Sequence, residues 1–234
     1  MKNKTILIQG ALDIETDLLI SNLKNEELFN ICNFNFYKGD IGNNQVIISK
    51  TDVGTINSTI STVLGINSFS PDYIINQGIA GSHLEAIHTG DIIIGTACCN
   101  INSYSMPTTD YSKGSNPFSW KPNKRAKDIK YSDEYLVNFF QKKLSNKGYN
   151  IYKGILGSGD VFNKECDRIL WIHNTFGTLS EDMESIGSYS VCTKFNIPCI
   201  GIRIISNNEL LLEKTNKEKA LDLQKLLINI LENN

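Results

Sequence analysis

The stretch Tyr73-Ile74-Ile75-Asn76-Gln77-Gly78-Ile79-Ala80-Gly81 reads as a buried strand, Tyr73 to Gln77, ended by Gly78 and running out into a glycine-bearing polar turn. Further strand-like runs lie at Thr5 to Gln9, Phe34 to Lys38, Gln45 to Lys50, Ile92 to Ala97, Ile151 to Leu156, Thr178 to Met183 and Cys199 to Ile205. Helical spacing falls between them: Leu12, Leu18, Leu19 and Leu23, then Ile56 to Leu64, Asp133 to Leu144, Lys164 to Asn174, Glu184 to Phe195 and Thr215 to Leu231. The alternation predicts an α/β fold, a three-layer α/β/α with a mixed, mostly parallel central sheet. In such sheets ligands sit beyond the carboxyl ends of the strands.

Composition narrows the function classes. The 234 residues are 41% hydrophobic and 21% charged, enough for the core of one domain spanning 1–234. No apolar run reaches the ~20 residues needed to cross a bilayer, and Met1 to Lys4 is polar, so a soluble, intracellular, cytoplasmic protein with no membrane partner is expected. With 23 basic against 25 acidic residues there is no positive field to gather nucleic acid. The densest basic patch, Lys121, Lys124, Arg125, Lys127 and Lys130, falls in a Pro/Ser/Asn-rich stretch and reads as a solvated loop. Six cysteines form no CxxC, and His83, His88 and His173 have no ligand spacing with carboxylates. Reduced, mostly buried thiols, no metal and no cofactor are expected.

The candidate chemistry lies at five strand ends: Gly10-Ala11-Leu12-Asp13-Ile14-Glu15, Asn76 to Gly81, Gly157-Ser158-Gly159-Asp160-Val161-Phe162, Glu181-Asp182-Met183-Glu184 and Arg203-Ile204-Ile205-Ser206-Asn207. In this order, with Gly90-Asp91-Ile92-Ile93 between the second and third, they resemble the 5'-methylthioadenosine/S-adenosylhomocysteine nucleosidases of the purine nucleoside phosphorylase and uridine phosphorylase superfamily. The resemblance runs nearly end to end. It implies a homodimer that hydrolyses the N-glycosidic bond of a small-molecule purine nucleoside.

By that resemblance Glu15 activates water, Glu184 accepts the ribose hydroxyls, Phe162 stacks on the purine and the backbone at Asn163 reads the base edge. Met183 packs under the ribose beside Asp182; Gly78 and Ile79 line the nucleophile side; Arg203 and Ser206 position the last strand end. Arginine and a hydroxyl, which the phosphorylases carry at the Gly78-Ile79 strand end, are absent, which favours water over phosphate. The sequence departs from the family at the leaving-group acid, an Asp there and Asn207 here. An amide cannot deliver a proton, a contribution typically worth ~10²- to 10⁴-fold. It can accept from N7–H and donate to a 6-oxo group, so three readings stand: a 6-oxopurine nucleosidase, a weak adenine nucleosidase, or a paralogue that binds without turnover. Residues 100 to 130 carry no strong periodicity and read as a lid, a binding loop or a partner contact.

Overall fold

The computed structural model describes residues 3–124, 128–145 and 147–233. Its strands are β1 (Thr5–Gly10), β2 (Lys24–Ile31), β3 (Phe34–Ile41), β4 (Asn44–Lys50), β5 (Tyr73–Ser82), β6 (Ile92–Asn100), β7 (Tyr104–Ser105), β8 (Lys121–Pro122), β9 (Lys130–Tyr131), β10 (Ile151–Ser158), β11 (Thr178–Asp182) and β12 (Cys199–Asn207). The helices are α1 (Asp13–Ser21), α2 (Thr55–Phe69), α3 (Glu134–Leu144), α4 (Cys166–Phe176), α5 (Ser185–Phe195) and α6 (Lys219–Glu232).

One mixed sheet runs β11-β10-β6-β12-β5-β1-β4-β3-β2. Parallel pairs β1/β4, β1/β5, β5/β12, β6/β10 and β10/β11 form its body. Strand β12 meets β6 antiparallel, and β11 folds back to pair antiparallel with β5. That last pairing closes β5, β12, β6, β10 and β11 into a small barrel.

Alternation along β1 shows why the sheet is covered twice. Ile6 and Ile8 pack with Leu19 of α1, Phe140 of α3 and Leu227 of α6, whereas Leu7 between them packs with Ile66 of α2 and Tyr189 of α5. Period-two side chains on a strand face opposite sides, so two apolar sets require two helical layers. The three-layer α/β/α architecture is as expected from the alternation.

Several boundaries differ from the sequence expectation. Strand β5 does not end at Gly78 but continues to Ser82, because Gly78 stays in register with Arg203 of β12. Strand β2 was not expected; it is an exposed edge strand, KNEELFNI, whose charges hide its alternation. The last helix begins at Lys219 rather than Thr215, and α4 at Cys166 rather than Lys164. Within 100–130 the short pair β7/β8 and a 3-10 turn at Pro117–Ser119 are anchored by Tyr104, Trp120 and Trp171 around the Arg168 guanidinium. Of the basic patch, Arg125 and Lys127 lie outside the described residues.

Candidate active site

The carboxyl ends of β1, β5, β11 and β12, with the starts of α1 and α5, surround a cavity of about 250 Å³. Glu15, Ile79, Phe162, Asp182, Met183, Glu184, Ser206 and Asn207 line it. Gly78, Asn163 and Arg203 do not line it.

Glu15 is held by its own turn. Its side chain folds back so that Oε2 accepts from the backbone N–H of Ala11 at 2.8 Å and of Leu12 at 3.0 Å, one arm of a capping box. Its Oε1 accepts from the N–H of Ile79 at 2.8 Å. Burial pushes the Glu15 carboxyl up despite these three donors, which favour its anion. Gly78 explains the close fit: a β-carbon there would collide with Glu15 Oε1.

Glu184 opens α5 and accepts from the N–H of Gly54 at 3.0 Å and of Met183 at 3.2 Å. Burial, reinforced by the charge of Asp182, pushes its carboxyl up to about 7. Asp160 serves structure instead: its Oδ1 accepts from the N–H and hydroxyl of Thr55, capping α2 from another part of the chain.

Arg203 and Asp182 form a buried ion pair, Nε to Oδ2 at 2.9 Å. Burial opposes the charge on Asp182, but the Arg203 guanidinium and the Ser185 hydroxyl and amide outweigh it and hold the carboxyl below its usual range. The same guanidinium donates to the carbonyl and side-chain oxygen of Asn76 and to Ser185 Oγ. Arg203 therefore positions β5, β11 and α5 around the cavity without reaching into it.

Asn207, at the end of β12, accepts from Ser206 Oγ at 2.8 Å and donates from Nδ2 to Glu209 Oε1 at 3.0 Å. Glu209 can only accept, so it keeps the amide nitrogen on its side.

Of the other lining residues, Ala11, Leu12, Ala80, Gly81, Val161 and Glu181 fall within the quoted strand-end motifs but were given no individual role, and Val53, Thr215 and Lys217 fall outside them. Glu181 had one available signal, its place at a strand end directly before Asp182. Val53 and Lys217 had none, since both are brought in by loops.

Comparison with known proteins agrees with this fold. The model of the phosphorylase superfamily matches residues 5–232. The chain is 31% identical over 208 residues to the 5'-methylthioadenosine/S-adenosylhomocysteine nucleosidase of Buchnera aphidicola, covering 88% of this chain and 79% of that protein. It is 27% identical to the nucleosidase of that name from Bacillus velezensis, covering 97% and 98%. Among solved structures, the corresponding Neisseria meningitidis nucleosidase in complex with methylthio-immucillin-A superposes with a TM-score of 0.82 at 23% identity, over 99% of this chain and all of that one. A futalosine hydrolase mutant of Helicobacter pylori shares the fold with a TM-score of 0.81 at 23% identity, over 99% of this chain and all of that one. Strand ends, cavity and relatives converge: the chain belongs to the phosphorylase superfamily and, within it, to the 5'-methylthioadenosine/S-adenosylhomocysteine nucleosidases.

Proposed function

We propose that this chain hydrolyses the N-glycosidic bond of a purine nucleoside of the methylthioadenosine/adenosylhomocysteine kind. The observation that carries the reading is the pair of carboxylates, buried Glu15 and half-buried Glu184, set by backbone amides on one cavity with the exposed Phe162 ring on its lining. Three of the roughly four acceptor sites of Glu15 are occupied by N–H groups, leaving one to hold and deprotonate water. Its raised pKa moves it toward the neutral range where a general base works best.

In the step itself the water oxygen bonds to C1', the C1'–N9 bond breaks with its electron pair moving into the purine, and the water proton passes to Glu15. Glu184 accepts from the ribose hydroxyls and offsets the positive charge that grows on the sugar. Asn207 holds the departing base by hydrogen bonds, and the base takes its proton from solvent.

Phosphate fits this cavity poorly. Four carboxylates, Glu15, Glu181, Asp182 and Glu184, line it against one lysine, Lys217. The test is base release from methylthioadenosine, S-adenosylhomocysteine, adenosine, inosine and guanosine, each with and without phosphate. Release without phosphate is expected. Strict phosphate dependence with ribose 1-phosphate as product would overturn hydrolysis, and tight binding with no release would make the protein a nucleoside-binding paralogue.

We also infer a homodimer in the cytoplasm. Val53, Ile56 and Ile60 form an exposed apolar edge at the start of α2, beside the cavity that Val53 lines. All six cysteines are free, as in a reducing compartment. Sedimentation should show a dimer that Ile56→Glu weakens; a monomer at all concentrations would remove the inference.

A further inference from the structure

The turn of α1 that carries Glu15 is gripped by a side chain from another helix. Gln224 of α6 is fully buried. Its Oε1 accepts from the backbone N–H of Leu18 at 3.0 Å and of Leu19 at 3.1 Å. Its Nε2 donates to the carbonyl of Ile14 at 2.7 Å and to that of Ala220, in its own helix, at 3.2 Å. Ile14 O and Leu18 N–H are an i,i+4 pair of the α1 ladder, so one amide serves both members and stands as a side chain inserted into the helix. All four hydrogen-bonding positions of that amide are used.

A second buried glutamine takes the next carbonyl. Gln77 of β5 donates from Nε2 to Glu15 O at 2.7 Å, and Ile79, two residues further along the same strand, gives its N–H to the Glu15 carboxylate at 2.8 Å. Strand β5 therefore holds Glu15 by its carbonyl and by its carboxylate, while α6 holds the residue before it. The helix itself does not need either amide. In a regular α-helix the N–H groups of Leu18 and Leu19 bond Ile14 O and Glu15 O directly. Around them Leu19, Leu223 and Leu227 belong to one apolar cluster, in which a leucine would be at home. Gln77 Oε1 has no hydrogen-bond partner among the described residues, a destabilising feature that packing alone does not explain.

We propose that Gln224 and Gln77 are positioning residues that fix this turn of α1 so that the Glu15 carboxylate meets its water. Neither lines the cavity, and both act through the backbone of Ile14 and Glu15. A turn free to rotate would carry the carboxylate away from the Ile79 N–H, and a misplacement of about 1 Å in a reacting group can cost ~10²-fold in rate. Gln224 also ties the base to α6, whose lead-in segment brings Thr215 and Lys217 to the cavity.

The inference rests on the hydrolase reading, with Glu15 as its base, and names what holds that base. The experiment measures base release from methylthioadenosine by Gln224→Leu and Gln77→Leu, each alone and each combined with Glu15→Gln. Either single variant is expected to lose ~10- to 100-fold in kcat, with KM within about threefold of wild type because the groups that hold the nucleoside are untouched. Its Tm is expected to stay within ~4 °C, since α1 can close its own ladder. Over Glu15→Gln the same substitutions should cost less than about threefold more, because aim is irrelevant once the base is gone. Should Gln224→Leu fail to fold, Gln224→Met, unbranched and adaptable, takes its place. A wild-type kcat in these variants, or a loss that recurs in full over Glu15→Gln or follows a lowered Tm, makes the glutamines packing groups and overturns the assignment. If the wild type releases no base, or Glu15→Gln hydrolyses normally, the hydrolase reading of Glu15 fails first and takes this assignment with it.

Discussion

The two carboxylates on the cavity differ in what a single substitution should reveal. Glu15→Gln keeps an acceptor and a similar shape but removes the base, so hydrolysis should fall by ~10²- to 10⁴-fold while ligand-induced stabilisation persists, measured by turnover and thermal shift together. Glu184 has a folded-state pKa raised from 4.5 to about 7. Between those values the folded protein binds more protons than the unfolded chain, so this group's contribution to stability falls as pH rises from about 4.5 to 7. Activity runs the other way, because the ribose hydroxyls need the anion: kcat/KM should rise through an apparent pKa near 7. Glu184→Gln should flatten both profiles and make the protein more stable at pH 8 by on the order of 2 kcal/mol, read from urea midpoints at pH 5 and pH 8. Glu15 and Glu184 are legible in the sequence only through the family resemblance that their strand-end motifs, Gly10 to Glu15 and Glu181 to Glu184, carry. Glu181 has no such individual reading, since an acid at the end of a strand is ordinary until its partners, His83 and Asn163, are brought to it from elsewhere in the chain.

Elements reach the site through seams of small residues. Helices α2 and α5 approach so closely that a β-carbon on Gly187 would lie 2.6 Å from the carbonyl oxygen of Thr55, and Ser58 Oγ and Ser188 Oγ bond between them at 2.8 Å. Glu184 and Gly54 lie at the two helix starts, so this contact sets the Glu184 side of the cavity. Gly187→Leu should force the helices apart and cost roughly 1–3 kcal/mol by overpacking, with a lowered Tm and a raised KM. The same scale shows where sequence reading stops. Strands β1, β5 and β12 were legible because they are nearly pure apolar runs ending in polar turns. Strand β2 was not, because only Phe29 and Ile31 pack inward while Lys24, Glu26 and Glu27 face water along its edge. Helical spacing extends a turn ahead of the observed start of α6, because Thr215 and Lys217, which lead into it, line the cavity rather than a helix.

The molecule as a whole is bolted around one buried cation. Arg203 of β12 joins Asp182 of β11, Asn76 of β5 and Ser185 of α5. Arg203→Leu leaves Asp182 an uncompensated buried charge and should cost ~3–5 kcal/mol, visible as a lower urea midpoint and as loss of turnover well below the melting temperature. The barrel that this cation supports closes through only two register pairs, Ser180 with Ser82 and Glu181 with Gly81, with the N–H of His83 donating to Leu179 O at 3.0 Å beside them. So short a clasp can open locally, and its backbone amides should exchange with deuterium far sooner than those of β1 or β12. A nucleoside lodged between β11 and β12 spans the clasp, so occupancy should slow exchange there before it slows anywhere else in the protein.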